Sequence, residues 1–135
     1  MDILITGAAG FIGSHLVDTL LSKKYSIIGL DNFNDYYDPK IKEKNLTTAN
    51  KNQNFNLIKG SILDKPLLKE TFKKHNISTV IHLAAYAGVR PSIKNPELYY
   101  ETNITGTKNI LDSAKEHNCT RLLIASSSSV YGNND

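Results

Sequence analysis

The stretch Gly7-Ala8-Ala9-Gly10-Phe11-Ile12-Gly13 constrains this chain more than any other. It follows a short apolar run, Ile3-Leu4-Ile5-Thr6, and opens an amphipathic stretch, Phe11 to Lys24. That order predicts strand, glycine turn and helix. A turn of this kind suits a dinucleotide pyrophosphate. Gly7 can turn tightly, Gly10 has no Cβ to block the phosphates, and Gly13 lets the helix lie close to the strand. The helix N-terminus adds free N–H groups and the positive end of its dipole. A phosphate loop of the Gly-Lys-Ser/Thr type is excluded, because Gly13 is followed by Ser14.

The next strand, Ser26–Leu30, runs into Asp31, eighteen residues past Gly13. A carboxylate at that distance can take both ribose hydroxyls of the adenosine, and its charge repels a 2′-phosphate. NAD is therefore expected over NADP. The plainer alternative is an aspartate that merely ends a strand.

Beyond these two features the chain alternates strand and helix. Strands are expected at Asp2–Thr6, Ser26–Leu30, Phe55–Lys59, Thr79–Ala84 and Arg121–Ala125. The first helix places Ile12, Leu16, Val17, Leu20 and Leu21 on one face. Asp38-Pro39 reads as an N-cap with proline at N1, opening a short helix through about Leu46. Thr47–Asn54 reads as a loop, and Pro66 starts a helix through Phe72. A long helix from Pro96 would carry Tyr100, Asn103, Ile104, Thr107, Ile110, Leu111 and Ala114 on one side. This pattern predicts an α/β fold with a Rossmann-type doubly wound parallel sheet, strand order 3-2-1-4-5, filling one domain over residues 1–135. Ligands of such sheets sit at the carboxyl ends of the strands. Gathered there would be Gly7–Gly13, Asp31–Asn34, Gly60–Ile62, Ala84–Arg90 and Ser126–Ser129.

Composition narrows the function classes. Hydrophobic residues make up 40% and charged residues 21%, as in a globular domain. The net charge of +3 is mild and the lysines are dispersed, which argues against a nucleic-acid surface. No apolar run approaches the roughly 18 residues of a membrane span, and strand-like sequence from Asp2 leaves no room for a signal peptide. Cys119 is the only cysteine, which fits a reducing, cytoplasmic setting and an inert thiol. His15, His75 and His117 have no partners at metal spacing, so no metal is expected. His82, on a buried strand, reads as a hydrogen-bonded core residue.

Three further features stay open between function and scaffold. Arg90 could meet a substrate phosphate or carboxylate, or be a solvated loop arginine. The run Ser126–Ser129 could offer hydroxyls to a sugar oxygen, or be a plain turn. Tyr36 and Lys40 satisfy Tyr-x-x-x-Lys, but Pro39 lies between them and breaks the shared helical face that the spacing needs. For catalysis the match reads as accidental, although either side chain could flank a cofactor.

Taken together, the motifs resemble those of the extended short-chain dehydrogenase/reductase family, the nucleotide-sugar epimerases and dehydratases. Thr6–Ser14 resembles its cofactor turn and His82-Leu83-Ala84-Ala85 its fourth-strand motif. Asn103-Ile104-Thr105-Gly106-Thr107 resembles its Asn-x-x-Gly-Thr helix, and Ser126–Gly132 the segment bearing the active-site hydroxyl. The stretches Asp31–Asp38 and Ala87–Ile93 look like those of UDP-glucuronate 4-epimerases and their close relatives.

The resemblance implies an NAD-dependent 4-epimerase acting on a UDP-sugar, of UDP-glucuronate or UDP-glucose type. Ser127 would be the catalytic hydroxyl. Gly7, Gly10, Phe11, Ile12, Gly13, Asp31, Asn32, Asn34, Ser61, Ile62, Leu83, Ala84 and Ala85 would hold the cofactor, and Arg90 and Ser128 the substrate. The alternatives are a dehydratase or reductase of the same family, or a regulatory dinucleotide-binding module. Family dehydratases carry Thr-Asp-Glu where this chain has Ser127-Ser128-Ser129, so dehydration is the weaker reading. Gly60-Ser61 replaces the usual Gly-Asp, which leaves Ile62 to pack on the adenine. The family's Tyr-x-x-x-Lys base and its sugar-binding lobe are expected after Asp135. The 135 residues would then be the inactive amino-terminal part of a homodimeric enzyme.

Overall fold

A computed structural model describes residues 1–133. Five parallel strands form one sheet in the order β3-β2-β1-β4-β5: β1 (Asp2–Thr6), β2 (Ser26–Asp31), β3 (Phe55–Lys59), β4 (Ile77–His82) and β5 (Arg121–Ile124). Successive side chains of a strand point to opposite faces, so a sheet covered on both sides needs apolar residues at nearly every position. Leu4 and Ile5 divide in this way. Leu4 joins Ile28, Leu30, Val80, Leu68, Phe72 and Ile110 in one core. Ile5 joins Ile27, Ala8, Val17, Leu21 and Leu46 in the other.

Helix α1 (Phe11–Ser22) covers the second core, with α2 (Pro39–Asn45) and a short 3₁₀ turn (Ala49–Lys51) beside it. Helices α3 (Lys65–Lys74) and α6 (Thr107–Glu116) cover the first. Asp38 caps α2 through the Lys40 N–H, with Pro39 in the first turn, as the sequence predicts. Asp64 caps α3 in the same way through the Leu67 N–H, so that helix starts one residue before Pro66.

Four expectations need correction. α1 stops at Ser22 because Lys24 takes a left-handed φ of 63° and leaves the helical path. β4 lies two residues earlier than Thr79–Ala84, because the Leu83 and Ala84 N–H groups turn aside to the Thr6 hydroxyl. A short helix, α4 (Val89–Lys94), occupies what reads as loop, and Arg90 sits on it, exposed. The long helix from Pro96 is broken: α5 (Pro96–Tyr100) passes through a π-helical turn (Glu101–Gly106) into α6.

That π turn changes which side faces inward. The buried residues are Thr102, Gly106, Asn109, Ile110 and Ala114. Tyr100, Ile104 and Leu111, expected on the core side, face solvent.

Candidate functional site: a cleft at the carboxyl ends of the strands

β1 ends at Thr6, and the chain must then turn under α1. Gly7 makes that turn at φ 69°, a left-handed conformation that L side chains rarely adopt. A Cβ there would lie 2.9 Å from the Ala84 backbone nitrogen. Gly13 packs so tightly that a Cβ would collide with the Gly7 carbonyl. At Gly10 the situation differs. A Cβ would meet only the Gly7 carbonyl, at 3.2 Å, and Gly10 itself lines open space. α1 begins there with no side-chain cap and no acidic residue in its first turn. Its first N–H groups and its positive dipole end are thus offered to an anion.

The open space is a cleft of about 370 Å³ at the switch point between β1 and β4. All thirteen residues expected to hold a cofactor line it: Gly7, Gly10, Phe11, Ile12, Gly13, Asp31, Asn32, Asn34, Ser61, Ile62, Leu83, Ala84 and Ala85. Arg90, Ser127 and Ser128 are not among its lining residues. On that side Ala125 is the lining residue, and Ser127 follows two positions later. Ser127 caps a short 3₁₀ turn, its Oγ accepting from the Ser129 N–H at 3.2 Å.

Asp31 is 7% exposed and held rigidly. One carboxylate oxygen accepts from the Ala9 N–H at 3.0 Å, the other from the Phe33 N–H at 2.9 Å. Lys42, also buried, reaches over from α2. Its Nζ lies 3.8 Å from Asp31 and donates to Asn34 Oδ1 at 2.7 Å. Burial raises the Tyr37 hydroxyl above its ordinary value, and the nearby Asp31 charge adds to this. The Tyr37 hydroxyl is buried in the cleft wall with no hydrogen-bond partner among the described residues. An unmatched polar atom beside a fixed carboxylate and a buried ammonium is the signature of a site built for a polar ligand.

Lys42, Tyr37 and Thr102 line the cleft but escape sequence reasoning. Lys42 reads as one of several lysines on a polar helix. Only its spacing of eleven residues from Asp31, across the Asp38-Pro39 helix start, could have pointed to it.

A hydrogen-bond chain ties the cleft floor to its far wall. Thr6 Oγ1 accepts from the Leu83 and Ala84 N–H groups, so its proton points to His82 Nδ1, 2.6 Å away. His82 must then carry its own proton on Nε2, which donates to Thr107 Oγ1 at 3.0 Å. Thr107 donates onward to the Asn103 carbonyl at 2.7 Å. The Asn103 side chain clasps both backbone groups of Tyr86, at 2.8 and 2.9 Å. Burial pushes the His82 pKa below its usual value, which fits this neutral tautomer. Gly106 completes the unit, since a Cβ there would run into the Ile62 side chain. His82, Asn103, Gly106 and Thr107 are thus one structural device, although 25 residues separate His82 from Thr107.

Residues 4–135 match the family model for GDP-mannose 4,6 dehydratase. The chain belongs to that family. Among its relatives, UDP-glucuronate 4-epimerase 6 of Arabidopsis thaliana is 44% identical over 135 residues, which is 99% of this chain and 29% of the relative. A crystal structure of UDP-glucuronic acid 4-epimerase from Bacillus cereus, in complex with UDP-glucuronic acid and NAD, superposes with a TM-score of 0.91 at 37% identity. That match covers 100% of this chain and 43% of the other. The UDP-glucose 4-epimerase of Brucella ovis, in complex with NAD, gives a TM-score of 0.83 at 30% identity, covering 99% of this chain and 38% of the other. The resemblance expected from the motifs is therefore borne out at the level of family and fold. The chain of this GDP-mannose 4,6 dehydratase family member spans less than half the length of these relatives. Among the described residues no helix is long and apolar enough to cross a membrane.

Proposed function

We propose that this chain is the NAD-binding domain of a UDP-sugar 4-epimerase, with UDP-glucuronate or a close relative as substrate. The observation that carries the reading is the cleft itself. It brings an uncapped helix N-terminus on a glycine turn, a rigidly held carboxylate and all thirteen expected residues into one space. Two 4-epimerase structures with NAD share its fold.

The residues present fit NAD. The Phe11, Ile12 and Gly13 N–H groups would take the pyrophosphate and Asp31 the adenosine ribose, with Lys42 and the unpaired Tyr37 hydroxyl close by. Ile62 would wall the adenine side. Leu83–Ala85, in the segment that follows β4, would flank the nicotinamide half. When bound, NAD would supply a hydride acceptor and donor for the sugar C4 position. Asp31 would disfavour NADP, because two backbone N–H bonds leave its charge no way to swing aside from a 2′-phosphate.

Ser127 would donate its hydroxyl proton to the C4 oxygen, its own oxygen being steadied by the Ser129 N–H. Ser128 and Arg90 would meet the sugar or its phosphates from the cleft rim. Tyr36 and Lys40 cannot serve as a Tyr-x-x-x-Lys pair, because α2 starts at Pro39 and Tyr36 lies outside it. The proton acceptor and the sugar-binding lobe would lie in the further length that the relatives possess. A homodimer of the longer protein belongs to the same reading. It is supported by the exposed stripe Tyr100, Ile104 and Leu111, which face solvent at 62%, 54% and 41%. So does a cytoplasmic setting, supported by the lone Cys119.

The dehydratase reading draws support from the family description alone. Against it stands the serine trio Ser127–Ser129, which supplies no acid and base for removing water.

The test is conversion of UDP-glucuronate, followed by product analysis, for this chain and for a longer protein that carries it together with the further length its relatives have. The longer protein should yield the C4 epimer and the 135-residue chain none. Ser127→Ala in the longer protein should lower kcat by about ten- to a thousand-fold, as for loss of one transition-state hydrogen bond. A 4-keto-6-deoxy product would replace the epimerase reading with the dehydratase one. Turnover by the short chain at the full rate would refute the truncated-domain reading.

A further inference from the structure

The glycine turn after β1 lies between two loops, because β2 and β4 are the neighbours of β1 in the sheet. One loop leaves β2 and carries Tyr36. The other leaves β4 and carries Tyr86 and Ala87. All three of these residues line the cleft. The Tyr36 hydroxyl donates to the Ala87 carbonyl at 3.0 Å, across 51 residues of sequence. This bond joins the loops on either side of the glycine turn, between two residues that line the cleft where a dinucleotide would lie.

The two ends of the bridge are anchored very differently. Ala87 is held firmly. Its carbonyl also accepts from the Tyr99 hydroxyl at 2.7 Å, and the backbone of Tyr86 is clasped on both sides by Asn103. Tyr36 is loosely held. It is half exposed, its N–H makes only a long bond of 3.4 Å to Asn34, and its ring meets Tyr86 edge-on at 6.0 Å. A bar with one fixed and one free end opens at the free end. Gly88, at φ 98°, sets the clearance: a Cβ there would lie 3.2 Å from the Tyr36 hydroxyl oxygen.

We propose that the Tyr36–Ala87 hydrogen bond is a gate bar across the dinucleotide cleft, so that Tyr36 controls entry and release of the cofactor rather than its affinity. This rests on the reading of the cleft as an NAD site. Tyr36 touches no reacting atom and is a positioning residue.

The experiment is stopped-flow measurement of NADH association and dissociation, read by nucleotide fluorescence, for the chain and its Tyr36→Phe and Gly88→Ala variants. Far-UV circular dichroism checks that each variant is folded. Tyr36→Phe keeps the ring against Tyr86 and removes only the hydroxyl. Both rate constants should rise together, roughly five-fold, the equivalent of one net hydrogen bond, with Kd changed less than about two-fold. Gly88→Ala, which strains a backbone held at φ 98° beside Ala87 and brings a Cβ to 3.2 Å from the hydroxyl, should move both rates in the same direction. Faster dissociation with unchanged or slower association would overturn the gate, because it would mark Tyr36 as an ordinary structural or affinity contact. Unchanged rates in both variants would overturn it too. No NADH binding by the unmodified chain would instead defeat the dinucleotide reading on which the gate depends.

Discussion

Asp31 reaches the cleft with both carboxylate oxygens already bonded to backbone N–H groups, of Ala9 and Phe33. Each oxygen retains lone pairs for a ligand hydroxyl, so a ribose would meet a carboxylate that needs no reorganisation. Gly10 works by what it lacks. A Cβ there would meet only the Gly7 carbonyl, at 3.2 Å, beside open cleft, whereas at Gly7 and Gly13 the corresponding space is filled by backbone. This difference separates binding from folding. Gly10→Val should lower NAD affinity by about a hundred-fold or more, comparable to one or two lost charge-assisted hydrogen bonds. The far-UV circular dichroism should stay close to that of the unmodified chain. Titration calorimetry beside the spectrum checks this, and unaltered affinity would show that the phosphate position is misplaced. These residues are legible in sequence because glycine spacing and a strand-ending carboxylate are local patterns. Lys42 and Tyr37 are not, since their roles come from α2 folding back over Asp31.

The elements themselves divide in the same way. The Asp38-Pro39 cap and the strand alternation follow from short-range rules, the sheet order follows from that alternation, and the structure agrees with all three. The π turn at Glu101–Gly106 does not, because extrapolating one helical period across it places Tyr100 and Ile104 on the wrong side. The inward face there is Thr102, Gly106 and Asn109, polar or small residues that no apolar pattern would select. Gly106 and Asn109 seat Ile62, Gly106 by lacking a Cβ and Asn109 by donating to the Ile62 carbonyl at 3.1 Å, while Thr107 and Asn103 beside them carry the hydrogen-bond chain from Thr6 and His82. Cutting that chain should be costly. Thr107→Val strands the His82 Nε2 proton and should destabilise the fold by about 1–3 kcal/mol, read from urea unfolding at pH 7.5. The pH dependence follows from the lowered pKa of His82. The unfolded chain takes up a proton near the ordinary imidazole value of 6.5, and the folded chain only at lower pH. The contribution of neutral His82 is therefore fully present above that value and is lost as pH falls through the window beneath it. His82→Gln should flatten that part of the stability profile. An unchanged acid slope would remove His82 as its source.

At the level of the whole molecule, both faces of the sheet are covered, while the β5 edge and one helical stripe are not. Leu123 and Ile124 on β5 are about half exposed, as are Tyr100, Ile104 and Leu111. Neither surface takes part in the cleft. The glycine turn, the Asp31 loop and the Leu83–Ala87 segment all line the cleft. The thirteen residues proposed to hold a dinucleotide all line this cleft, although the chain spans only 43% of the Bacillus cereus enzyme. Cofactor binding should accordingly survive without turnover. Titration calorimetry of the 135-residue chain with NAD and then NADP tests this most directly. The expected result is one NAD bound per chain and NADP held at least about ten-fold more weakly, through repulsion of its 2′-phosphate by Asp31. Absence of binding, or NADP held as tightly as NAD, would contradict it.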